Sequence, residues 1–238
     1  RNGGDRPGLS MRRRTALAAA ALLVPAAPRA AEPVDVALVL AADASGSITA
    51  DEFLLQKEGI AEALADARTQ AAIRSGAVGR IAVAYAEWGS PGAAATVVDW
   101  HAIGSASDAA RFAEALRAAP RSAQSYNAIG DAIDHGARLH QACPFEPTRR
   151  VIDLSGDNRD LRSHRAAPLA RDAAVAAGIV VNGLAVIEDD RRGPDGRPWL
   201  VGYFEAEVIG GPGAFVLAAE SRADFVRAMR QKIVREIA

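Results

Sequence analysis

The 238-residue chain carries 28 basic and 29 acidic side chains, 50% hydrophobic residues and one cysteine, Cys143. That balance supplies one sizeable core, and it excludes a disordered chain, an intrachain disulfide and a thiolate zinc site. Residues 1–31 hold six arginines and one aspartate, so residues 32–238 carry 22 basic and 28 acidic groups, a net charge of −6. Such a surface offers no electrostatic footprint for nucleic acid or an anionic membrane.

The stretch from Met11 has a basic head (Arg12, Arg13, Arg14), an apolar run from Ala16 to Val24 and then small residues. It reads as a secretory signal peptide, too short for a stable membrane span, with cleavage between Ala26 and Ala31 and a weak hint of twin-arginine export. Residues 1–10 read as upstream sequence. The expected mature chain, 32–238, contains no apolar run long enough to span a bilayer, so a periplasmic or secreted location is expected.

Strands and helices then alternate. Residues 36–42, VALVLAA, form a continuous apolar run, the pattern of a central parallel strand covered on both faces. Thr49 and Glu52 have capping-box spacing and open a helix through about Ala67. Strands follow at 80–88 and 95–100, separated by the turn signal GSPG. A helix over 107–119 places Ala109, Phe112 and Leu116 on one face, and another from about Asn127 turns Ile129, Ala132, Ile133, Gly136 and Leu139 inward. A strand at 149–157, a helix at 165–177 and a strand at 178–186 come next. Residues 187–202, rich in Asp, Arg, Gly and Pro, read as a solvated excursion. Ser221 and Asp224 cap a last helix bearing Phe225, Met229, Ile233 and Ile237. The alternation predicts one Rossmann-like, doubly wound α/β domain with a mostly parallel sheet and helices on both faces.

Where the first strand ends, Asp43, Ser45 and Ser47 occupy alternate positions. In open α/β sheets ligands bind beyond the carboxyl ends of strands, and hydroxyl and carboxylate oxygens suit a hard cation such as Mg²⁺. A second carboxylate is needed to balance the ion, and Asp157 follows another strand in DLSGDN.

Asp43-Ala44-Ser45-Gly46-Ser47 after an apolar strand resembles the metal-ion-dependent adhesion site of von Willebrand factor A domains. The resemblance implies completion of the site by Asp157 and by a residue at the start of a later helix. That position falls on Asn127, where the family usually has Thr, and Ser125 lies two residues away. The segments AYAEWG, RRVIDLSGDN, VVNGLAV and VIGGPGAFV extend the resemblance over roughly 34–237, to exported bacterial proteins known mainly as a domain of unknown function. It implies Mg²⁺, with Mn²⁺ or Ca²⁺ also fitting, at Asp43, Ser45, Ser47, Asn127 and Asp157. The function implied is binding of a protein partner whose Asp or Glu completes the coordination, with no catalytic residue.

Two other readings use the same residues. Paired acids with Mg²⁺ serve phosphohydrolases, although Ala44 and Ser45 stand where an Asp-x-Asp nucleophile pair belongs. The fold without metal would make an interaction scaffold. Asp153, inside the 149–157 strand, reads equally as a support of the metal loop or as part of a structural network. His101, His135, His140 and His164 read as surface or helix-end residues, GGPG at 210–213 as a turn, and Cys143 as a small, partly buried side chain.

Overall fold

The computed structural model describes residues 3–4, 31–221 and 224–238. The expected leader, residues 1–31, therefore lies almost wholly outside the described residues.

β1 (Glu32–Asp43) begins four residues before the apolar run and is buried from Val36 onward. It pairs in parallel with β2 (Ile81–Trp88) on one side and with β4 (Phe145–Gly156) on the other. β5 (Ile179–Val186) and β6 (Val216–Ala219) extend the parallel half. β3 (Ala95–Ile103) folds back antiparallel on β2 through the predicted GSPG turn. The order β3-β2-β1-β4-β5-β6 is that of a doubly wound sheet, with the strand order reversing between β1 and β4.

Alternate residues of β1 feed two cores. Val36, Leu38, Leu40 and Ala42 face Ile60, Leu64, Ile73, Phe112, Leu116, Phe225 and Met229, which come from α1 (Ala50–Ala65), α2 (Ala67–Ser75), α3 (Ala106–Ala118) and α7 (Phe225–Ile237). Val39 and Ala41 face Ile129, Ile133, Ala170 and Phe204, from α4 (Ile129–Gln141), α5 (Ala167–Ala176) and the π-helical turn Phe204–Val208 that continues α6 (Trp199–Tyr203).

Several expectations need correction. The Thr49–Glu52 capping box is present, but the helix it opens ends at Ala65; Asp66 then accepts from Arg68 N and starts α2. The polar excursion stops at Pro198, and Leu200 and Val201 are buried in α6. β6 went unread: it has four residues, three of them only half-buried. His140 does lie at a helix end, but its ring is buried, with Nε2 3.0 Å from Val151 O, and burial pulls it down to about 4. The GGPG segment is a turn as read, with Gly211 at φ 97° and Gly213 at φ 73°.

α7 carries the four expected apolar residues, and Lys232 and Glu236 are buried with them. Lys232 Nζ lies 2.5 Å from Asp153 Oδ1 and 2.6 Å from Glu236 Oε1, and Asn182 Nδ2 donates to the same Glu236 oxygen at 3.1 Å. Arg149 donates to the carbonyls of Glu236 and Ile237 at the helix end, a favourable place for a cation. Asp153 thus belongs to a buried ion-pair cluster between sheet and helix.

Candidate metal centre

β1 ends on Asp43, and Asp157 follows directly on β4, so the two carboxyls stand beyond adjacent strand ends at the point of reversal. Asp43 is 2% exposed. Its Oδ1 accepts from Ser45 N at 2.8 Å, a local turn that stops the strand and carries the two hydroxyls round. Ser45 Oγ and Ser47 Oγ lie 3.1 Å apart, and Ser47 Oγ donates to Asp157 Oδ2 at 3.0 Å. Asp43, Ser45, Ser47 and Asp157 therefore lie together at this rim.

Asn127 comes to the same rim through backbone contacts. Gly46 N donates to Ser125 O at 3.1 Å, Ala128 N donates to Gly89 O at 2.9 Å, and Leu161 N donates to Asn127 O. α4 starts at Ile129, two residues later than expected, and Asn127 pairs instead with Leu161 in an isolated bridge. With Ala128 at the helix entry there is no local side-chain cap. Asp160 Oδ1 accepts from Ile129 N and Ser163 Oγ from Gly130 N, each at 2.9 Å, so the loop after β4 caps α4 from a distance.

Two glycines permit this close approach. A Cβ on Gly89 would lie 2.8 Å from Gln124 Cβ, 2.9 Å from Tyr126 O and 3.2 Å from Ser45 Cα. One on Gly156 would lie 3.0 Å from the buried Trp88 ring and 3.7 Å from Asp43 Oδ2.

Sequence reasoning missed the support beneath the loop. Arg121 Nη2 donates to Ala44 O and Ser45 O, both at 2.9 Å, while its guanidinium carbon sits 4.8 Å from the Phe53 ring centre. Glu87, fully buried at the end of β2, accepts from Ser122 N at 2.6 Å and so fixes the segment that carries Arg121. An acid inside the apolar run IAVAYAEW was the signal available for Glu87, of the same kind as Asp153 in VIDLS.

The electrostatics distinguish the site from a satisfied polar loop. Burial, then the Asp157 charge beside it, pushes the Asp43 carboxyl up to about 8, against the opposing hydrogen bonds from Ser45. Among the described residues Asp43 Oδ2 and Asn127 Oδ1 are buried with no hydrogen-bond partner. Buried polar atoms are rarely left so. Among the described residues no three His, Cys, Asp or Glu side chains are placed to hold a metal ion. The group at the rim is instead two carboxyls with hydroxyl and amide oxygens. That donor set and the unmatched oxygens fit a hard divalent cation.

The family described as "Protein of unknown function (DUF1194)" matches residues 33–238. The chain belongs to this family. No curated protein sequence matches the DUF1194 chain. Among solved structures it is similar to proximal thread matrix protein 1 of the mussel byssus, solved with zinc in its metal-ion-dependent adhesion site motif: TM-score 0.58, 16% identity, covering 86% of this chain and 46% of that one. It is similar to a von Willebrand factor type A structure from Catenulispora acidiphila, with TM-score 0.55, 15% identity and coverage of 86% and 43%. A third is the pilus adhesin SpaC from Lactobacillus rhamnosus GG, with TM-score 0.56, 15% identity and coverage of 88% and 31%. The chain thus spans less than half the length of each, and at these identities the likeness establishes the fold. The DUF1194 chain has a von Willebrand factor A-like fold. Among its described residues no helix is long and apolar enough to cross a membrane.

Proposed function

We propose that this domain is a divalent-metal-dependent binding module, with Asp43, Ser45, Ser47, Asn127 and Asp157 as the residues that hold the cation. The observation that carries the reading is that buried Asp43 stands together with Asp157 at the β1–β4 strand ends, with Ser45 and Ser47 linking them by hydrogen bonds. When bound, a dication would supply positive charge between the two carboxyls and an open position for a partner's carboxylate.

The chain's own residues do the rest. Ser45 and Ser47 provide neutral oxygens, so the carboxyl charge is not fully spent on one side of the site. Arg121 and Glu87 hold the 43–47 loop in place from below. The hard-oxygen donor set favours Mg²⁺, Mn²⁺ or Ca²⁺. The zinc in the mussel protein's motif supports a divalent ion in a related fold. The partner is a protein offering Asp or Glu, and the leader read from Met11 puts the encounter outside the cytoplasm.

A fluorescein-labelled glycine-rich peptide carrying a single Asp tests the reading directly. It is expected to bind the parent domain in Mg²⁺ and to be released by EDTA, and Asp43→Asn is expected not to bind it. Equal binding with and without chelator would leave a metal-free scaffold.

A further inference from the structure

Among the described residues Arg162 is the one non-glycine with a left-handed backbone, at φ 82°. Such a conformation is strained for a side-chain-bearing residue and persists where neighbours over-determine it. Here Leu161 N, on one side, donates to Asn127 O. Ser163, on the other, hydrogen-bonds Gly130 N and Asp160. Asp160 in turn accepts from Ile129 N and Ala167 N, and its own N–H donates to the Tyr203 hydroxyl at 2.9 Å. The loop is thus clamped to the starts of α4 and α5, and Arg162 is held between its fixed points.

The position of its side chain is what the clamp determines. The Arg162 guanidinium carbon lies 4.8 Å from the centre of the Tyr126 ring, and Tyr126 immediately precedes Asn127. Tyr126 is 47% exposed, and Leu161 is exposed beside it. Stacking covers one face of the guanidinium and leaves its in-plane N–H donors to a ligand, the geometry that takes a carboxylate. Among the described residues no carboxylate pairs with Arg162, whereas Arg165 in the same loop pairs with Asp134, and Arg191 and Arg197 pair with Asp189 and Asp195.

We propose that Arg162, seated on Tyr126, is a specificity contact beside the candidate metal centre that selects partners presenting a second carboxylate near the one that meets the cation. The occupant is an extended acidic protein segment. Its first acid meets the metal, its second meets Arg162, and the exposed Tyr126 and Leu161 receive the chain between them. This rests on the metal-dependent reading above.

Three labelled glycine-rich peptides test it in Mg²⁺: one with a single Asp, one with Asp and a Glu three residues on, and one with Asp and a Lys three residues on. The parent is expected to bind the Asp–Glu peptide about three- to fivefold more tightly than the single-Asp peptide, the range of an exposed ion pair. Arg162→Gly relieves the left-handed backbone and keeps the fold; it is expected to bind both peptides equally, at the parent's single-Asp affinity. Arg162→Glu is expected to favour the Lys peptide. A Glu preference that survives in either variant, or equal binding of the two acidic peptides by the parent, overturns the proposal while leaving metal-dependent binding intact. Failure of every peptide to show Mg²⁺-dependent binding to the parent overturns both.

Discussion

In the interior, Lys232 sits within 2.6 Å of both Asp153 and Glu236, whereas at the rim the groups acting on Asp43 among the described residues are Asp157 and Ser45. Both clusters contain a carboxyl raised to about 8, Glu236 in one and Asp43 in the other, and both owe this first to burial and then to a second acid. The interior cluster supplies its own cation and closes with an amide from Asn182. The rim cluster opens to solvent through Ser47, whereas Asp153, Lys232 and Glu236 are all buried. The interior pair of acids has its cation built into the helix; the rim pair stands beside an open loop. The first arrangement joins a helix to the sheet, and the second is suited to receiving an ion.

The comparison can be broken at its strongest point by Lys232→Met. Removing the internal cation leaves Asp153 and Glu236 buried without compensation, and a loss of about 3–5 kcal/mol in urea unfolding is expected. A small loss would mean that the cluster is not held by charge. At the rim the cation comes from outside, so Mg²⁺ at a hundred times its dissociation constant is expected to add about 2.7 kcal/mol to the parent and nothing to Asp43→Asn. Measured in EDTA, Asp43→Asn is expected to be more stable than the parent by about 1–2 kcal/mol, because it removes a buried acid set beside a second one.

The smallest expected effect is in pH. Glu236 keeps its proton to about 8 when folded, against an ordinary 4.5. Between those values the folded chain binds more protons than the unfolded one, so its contribution is full below about 4.5 and is lost as pH rises through about 8. Glu236→Gln is expected to flatten the fall in stability between about pH 5 and pH 8. An unchanged slope would show that Glu236 does not hold that proton.

The rim was legible because its signals are local. An apolar run fixes β1, the alternate oxygens follow at once, and Asp157 is the first acid after β4. Asn127 was legible as a position but not in its setting, since the bridge to Leu161 and the distant caps from Asp160 and Ser163 are made by a loop some thirty residues away. The interior cluster was hidden because Lys232 and Glu236 at i,i+4 look like an exposed helix pair. Only their placement opposite Asp153 on β4 turns them inward. Arg121 works through backbone carbonyls, which leave no mark in a sequence. Arg162 is likewise unremarkable until its backbone and its ring partner are seen.

Calorimetric titration of Mg²⁺ into the metal-stripped domain and into Asp43→Asn tests the central claim most directly. Saturable heat in the parent and none in the variant is the expected result. Equal heats in the two proteins, or none in the parent, would contradict it.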